Sequence, residues 1–396
     1  MLYRGLQIGV AALAVGLAAS APAWGELAVS GNDGHQPQLG DTPKDIVPDT
    51  LTVIDLGSYP PKILGQVEVP YSMIGEPTSV AVAHSGSFAL VTASQKFDTV
   101  DITKVVANDK LSVVDLSSPD QPKVIQTLSA GMGPSGVSIN RNDTLALVAN
   151  VADGTVAAFT IRGKTLTPAG NVQLDAKLGP VDAVISPDSK SAIITQRHGY
   201  GVWRLSINGS QLSNPGILIP TGVNSYGAQF SDDGRYVYNT NLMGKPDLND
   251  PTGARVRSPR IGTITVIDMK VNKVVNTLEV GPTPEHLVLS PDRNYMAVTV
   301  VNGSSSKPTA PGYHDFGLLK VFKVDGAKLT QVAEARTGRW GQGIAWRKDG
   351  KVILLQTAIS KNIEVYHFGG NSLTRDTNVT LSMPGRPGAI ATRYSR

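Results

Sequence analysis

Gly281 to Gly303 reads GPTPEHLVLSPDRNYMAVTVVNG. A lead-in turn is followed by the apolar run Leu287-Val288-Leu289, by turn chemistry at Ser290-Pro291-Asp292-Arg293-Asn294, and by a second apolar run at Met296-Ala297-Val298. Short aliphatic runs bounded by Pro, Gly, Asp and Asn are strand signals, so the stretch predicts a tight antiparallel hairpin. A lone hairpin cannot bury both its faces, and stacked copies can.

Such copies recur along the chain. Aligned on Pro284, the lead-in turn returns at Pro77, Pro134, Pro180, Ser225, Gly341 and Pro387, at spacings of 45 to 59 residues. An apolar strand follows each turn, among them Val80-Ala81-Val82, Ala183-Val184-Ile185 and Ile344-Ala345-Trp346. A second strand, a third such as Thr263–Asp268, and a fourth complete each unit. Four strands at this period predict an all-β fold, a seven-bladed β-propeller of four-stranded antiparallel blades. The copy at Pro387 holds one strand, and its three missing strands are matched by Leu27–Ser30, Leu51–Leu56 and Ile63–Val69. Three N-terminal strands and one C-terminal strand are thus expected to close the ring, which removes the last open sheet edge.

Composition agrees with many short strands: 396 residues include 41 Gly and 26 Pro, with no long amphipathic helical pattern. Residues 1–25 read as a signal peptide, with Arg4, an apolar run from Ile8 to Ala19 and Ala21-Pro22-Ala23 as the cleavage motif. Residues 26–396 are expected to be one propeller domain, periplasmic or secreted, monomeric and without a membrane span once the signal is removed. The sequence has no Cys, which excludes disulfides, thiolate metal sites, Cys nucleophiles and covalent c-type haem. A net charge of +4 is too small to imply nucleic acid. The basic stretch with Lys245, Arg255, Arg257 and Arg260 also lacks interleaved aromatics for base stacking. There is no Gly-x-Ser-x-Gly elbow, P-loop or His-Glu-x-x-His, and no cofactor is expected.

Function is expected on the rim shared by the lead-in turns and the connections between second and third strands. Four of those connections are long, at 31–50, 94–110, 242–262 and 301–317, and they fall in two pairs on neighbouring blades. Long loops inside a compact domain are usually binding segments, and these pairs are expected to face each other across the central channel. Glu76, Asp182, Tyr226 and Trp340 at lead-in turns, with Arg197 and His198 at the end of a second strand, are the candidate ligand-binding residues. His286, with Glu285 and Arg386, is a candidate acid–base set; alternatively His286 hydrogen-bonds a neighbouring blade. Asp33, His35, Asp41, Asp45 and Asp49, and the segment Tyr313-His314-Asp315, offer metal-ligating side chains, but no spacing matches a metal loop and no metal is expected.

Third strands such as Leu51-Thr52-Val53-Ile54-Asp55 and Leu111-Ser112-Val113-Val114-Asp115 resemble the YVTN repeats of exported bacterial propellers. Phe159 to Thr167, Val321 to Thr330 (VFKVDGAKLT) and Val365 to Thr374 (VYHFGGNSLT) are similar to repeats of the propeller lactonase family, which includes 6-phosphogluconolactonases and fungal carboxymuconate cycloisomerases. That resemblance implies a lactone site at the propeller mouth. Pro284-Glu285-His286 matches the Pro and His of the family's Gly-Pro-Arg-His segment but carries Glu in place of Arg, which argues against a phosphosugar lactone. The sequence is therefore read as an exported propeller presenting its rim to a partner protein or small ligand. The alternative is a lactonase-type hydrolase or cycloisomerase.

Overall fold

The computed structural model describes residues 25–35, 46–101, 104–244 and 261–395. Residues 1–24 of the segment read as a signal peptide, Asp41 and Asp45, and the basic residues Lys245, Arg255, Arg257 and Arg260 lie outside the described residues.

The hairpin of the opening stretch forms from Pro284–Leu289 and Tyr295–Val300, with Leu287 opposite Val298 and Leu289 opposite Met296. Its turn is specified locally. The Ser290 hydroxyl donates to Asp292 Oδ1 (2.6 Å) and accepts from the Tyr295 N–H (2.9 Å), while Asp292 Oδ1 also accepts from the Asn294 N–H (3.1 Å). The same bonds recur around Ser186 and Asp188 and around Ser231 and Asp233. The fourth turn position takes positive φ in every copy: Arg293 at 61°, Ser189 at 57° and Gly234 at 69°, so glycine is tolerated there without strain.

The described residues form seven four-stranded antiparallel sheets. One of them pairs the C-terminal strand Arg386–Thr392 with Leu27–Asp33, followed by Thr50–Asp55 and Lys62–Glu68. Ser30 lies opposite Ile390 and Ala28 opposite Thr392. The expected closure of the ring is present, with strand bounds within a few residues of those read from sequence.

Innermost strands such as Gly341–Trp346 are buried along their whole length, whereas outermost strands such as Lys123–Ser129 alternate between exposed and half-buried. The apolar core therefore lies between blades. Seven clusters fill the seams; the one joining the closing blade to the Pro77 blade contains Val29, Val53, Tyr71, Val80, Val91 and Ala389. Burying each such side chain is worth about 1.5–3 kcal/mol, so blade-on-blade packing holds the ring. Tyr71 is fully buried with its ring against Gly31 and its hydroxyl at Gly388, where a Cβ atom would approach within 2.3 and 2.6 Å of it. Among the described residues no helix is long and apolar enough to cross a membrane.

Candidate functional site

The top of the channel is crossed by side chains of blades that are not neighbours in the ring. The Thr78 hydroxyl donates to Asp182 Oδ1 at 3.0 Å, and the Tyr226 hydroxyl donates to the Gly75 carbonyl. Burial pushes the Tyr226 phenol far above its ordinary pKa, so it stays a donor. Glu76 reaches Gly227, whose Cβ, if present, would lie 2.8 Å from Glu76 Oε1. Glu76, Asp182 and Tyr226 are all buried, and they close the channel rather than line an open mouth.

Beside this closure sits Glu285, whose backbone carbonyl flanks Gly227 together with Glu76 Oε1. It is the second residue of its strand, as Tyr226 is of Ser225–Phe230, so both aim at the axis. Gln342 donates its amide to Glu285 Oε2 at 2.5 Å. Burial pushes the Glu285 carboxyl up to about 7, opposed by the Gln342 amide, the Arg197 charge and a hydrogen bond from Trp340. A half-buried carboxyl that titrates near neutrality can hold or release a proton at physiological pH.

The other sequence candidates are placed differently. His286 is buried, and its Nδ1 accepts from the Ile344 N–H of the next blade at 3.0 Å, which fixes that nitrogen as an acceptor and ties two blades together. Arg386 is buried and donates to the Ala358 carbonyl at 3.3 Å. His198 is exposed, its pKa lowered by partial burial and by the neighbouring Arg197. The mouth thus brings together Glu285, Gln342, Trp340 and Arg197; Arg386 serves a blade seam, and His286 both bonds the next blade and lines a small cavity with Thr78, Ile139 and Ile390.

A second site was only half visible in the sequence. The 94–110 insertion is not a loop: it prolongs the strands Phe88–Phe97 and Val105–Asp115, with Lys96 opposite Val106. Its described partner residues in the 31–50 insertion fold against it, since the Val47 N–H donates to the Gly34 carbonyl and the His35 ring meets Phe97 edge-on at 5.4 Å. The two insertions meet side by side over the seam between their neighbouring blades. Between them lies a wide-open cavity of about 540 Å³ lined by Lys96, Asn108 and Lys110 on one wall and His35, Asp49 and Glu68 on the other, with Phe97, Val47 and Val69 supplying apolar surface. Lys96, Asn108 and Lys110 were not among the sequence candidates; their signal was the long insertion itself.

At one corner of the cavity His35 Nδ1 lies 3.0 Å from Asp33 Oδ1 and 2.8 Å from Asp49 Oδ1. Burial raises the Asp33 carboxyl to about 6, offset in part by His35 and reinforced by the charge of Asp49. Burial alone would lower the His35 pKa, but the hydrogen bond to Asp49 and the two carboxylate charges outweigh it and raise it.

No protein-family model matches the chain, and no curated protein matches it in sequence. Solved structures do resemble it. A candidate 6-phosphogluconolactonase from Bacteroides fragilis superposes with a TM-score of 0.67 at 15% identity, covering 94% of this chain and 99% of the other. A periplasmic gluconolactonase from Pseudomonas aeruginosa gives 0.66 at 15% identity over 93% and 98% of the two chains. A hypothetical selenium-binding protein from Sulfolobus tokodaii gives 0.64 at 10% identity over 94% of each. The likeness is one of fold. The chain is a seven-bladed propeller with lactonase-like structural neighbours, and that architecture hosts binding proteins and enzymes alike.

Proposed function

We propose that this protein is an exported propeller that binds a small polar ligand in the seam cavity between its closing blade and the Pro77 blade. The observation that carries the reading is that two long insertions from neighbouring blades border an open cavity of about 540 Å³, a volume within the usual size range of small-molecule sites. Its walls suggest the ligand class. Lys96 and Lys110 suit a carboxylate, whereas Glu68, Asp49 and Asn108 suit hydroxyl or ammonium groups, which fits a sugar acid or an amino acid. Calorimetric titration with a panel of aldonic acids and amino acids tests it. One class should bind saturably, and the Lys96→Ala/Lys110→Ala protein should bind it at least about 10-fold more weakly, the equivalent of about 1.4 kcal/mol. Wild-type protein that binds no member of either class, or binding indifferent to both lysines, refutes the reading.

A second reading is favoured by one observation, the Glu285 carboxyl held near neutrality at the channel mouth. There Glu285 would take a proton from water attacking a lactone carbonyl and return it to the ring oxygen as the acyl C–O bond breaks, with the Trp340 indole and Arg197 as polar support. The lactonases among the structural neighbours give this reading its substrate class. Turnover on a lactone panel that disappears in Glu285→Gln would establish it; its absence from the wild type would remove it.

A further inference from the structure

Asp33, at the end of Leu27–Asp33, and Asp49, immediately before Thr50–Asp55, aim their Oδ1 atoms at a single nitrogen, His35 Nδ1. The three candidate ligand atoms lie within 4.8 Å of one another. One N–H hydrogen cannot align well with two acceptors, and two carboxylates converging on one buried point repel each other. A cation among them would neutralise both and take the imidazole lone pair.

The surroundings already hold the donors in place. Asp49 accepts from the N–H groups of Gly34 (2.8 Å) and Tyr71 (3.2 Å), and Asp33 from those of His35 (3.0 Å) and Met73 (2.9 Å). Backbone donors of this kind orient metal-binding carboxylates. A second observation concerns the ring. His35 is 8% exposed, and the Gln95 backbone offers its ring a hydrogen bond beside the two carboxylates at Nδ1. A neutral ring bound through Nδ1 would leave its other N–H for the Gln95 backbone, the kind of outer-shell bond that orients metal-binding histidines.

We propose that Asp33, His35 and Asp49 form a site for one first-row divalent transition cation, with an open coordination position facing the seam cavity. One imidazole and two carboxylates suit zinc, cobalt, manganese or iron better than calcium, which asks for six to eight oxygens. This inference rests on the seam reading only for what the cation would touch, a carboxylate or hydroxyl group of the bound ligand.

Cobalt(II) titration of the metal-stripped full-length protein, followed by visible absorption and by equilibrium dialysis, tests the site. One cobalt per chain with the intense bands of low-coordinate cobalt is expected, displaced by an equal amount of zinc. His35→Gln and Asp49→Asn should each weaken cobalt by more than about 100-fold, beyond the 10–100-fold that loss of an outer-shell partner costs. Thermal melts establish that each variant is folded, and paramagnetically shifted imidazole resonances in wild-type protein report a histidine ligand even where a variant is not. No stoichiometric cobalt, or cobalt retained in both folded variants, overturns the proposal. Lys96→Ala/Lys110→Ala protein should keep its cobalt. Metal binding without any organic ligand would therefore refute the seam reading alone, and ligand binding without metal would refute this inference alone.

Discussion

Replacing Glu285 by Gln should make the protein more stable than wild type at alkaline pH and leave the two alike in acid. The carboxyl pKa is raised from 4.5 to about 7, so the native state favours the protonated form. Stability from this group is fully present below the unfolded pKa and is lost as pH rises through the folded one. A difference of about 2.5 units corresponds to about 3 kcal/mol at most. Glu285 keeps some contact with water, which reduces the expected effect to about 1–3 kcal/mol. Gln keeps the shape and still offers an oxygen to the Gln342 amide, so packing and that hydrogen bond survive. The assay is denaturant unfolding of both proteins from about pH 4.5 to about pH 9, read as variant minus wild type. Asp33 is also raised, to about 6, and destabilises with pH in the same direction, but it is common to both proteins and cancels. A difference that stays flat across the range, or that grows towards acid, refutes the account of Glu285 as a carboxyl strained by burial.

Tyr71 joins the N-terminal strand at Gly31, the C-terminal strand at Gly388 and the Pro77 blade through a hydrogen bond from Ser79, so Tyr71→Ala should cost about 3–5 kcal/mol in denaturant unfolding. Gly388→Ala would place a Cβ 2.4 Å from that of Met73 and should cost about 1–3 kcal/mol; a neutral result would mean that the closing blade yields easily. Deleting residues 26–70 removes three strands of the closing sheet and exposes Arg386–Thr392 as a lone edge, so sedimentation should report aggregates, and a soluble, cooperatively melting product would refute ring closure. Asp292→Ala removes the acceptor of three turn hydrogen bonds, with an expected loss of about 1 kcal/mol and faster amide exchange at Asn294.

The ring was legible because its determinants are local. Ser290, Asp292 and the positive-φ position between them and Tyr295 specify a turn without help from the rest of the chain, and the same chemistry returns at Ser186 and Ser231. The 94–110 insertion was read as a loop because nothing local distinguishes it. Residues 95–97 become strand only by pairing with residues 105–107, and the pairing is decided by tertiary context. The mouth was legible in position but not in direction. The first strands shift register near their starts, between Pro284 and Leu287 and between Ser225 and Ala228. After such a shift, alternation no longer says which side chain faces the axis. Glu285 and Tyr226 point inward, while His286 is turned into the seam against Ile344.

The same topology accounts for the position of the seam site. Seven blades around one axis bring their innermost strands close together, and here the bonds from Thr78 to Asp182 and from Tyr226 to Gly75 use the remaining space for structure. Length added at the rim cannot enter that closed centre. Here it prolongs strands outward and folds over a seam, and the additions on the two neighbouring blades border one open cavity. Asp33, His35 and Asp49 converge there because Asp33 ends a strand whose partner is Arg386 from the far end of the chain, while Asp49 enters the next strand of the same sheet. Sequence spacing alone could not show that convergence, since it depends on the strand pairing that closes the ring.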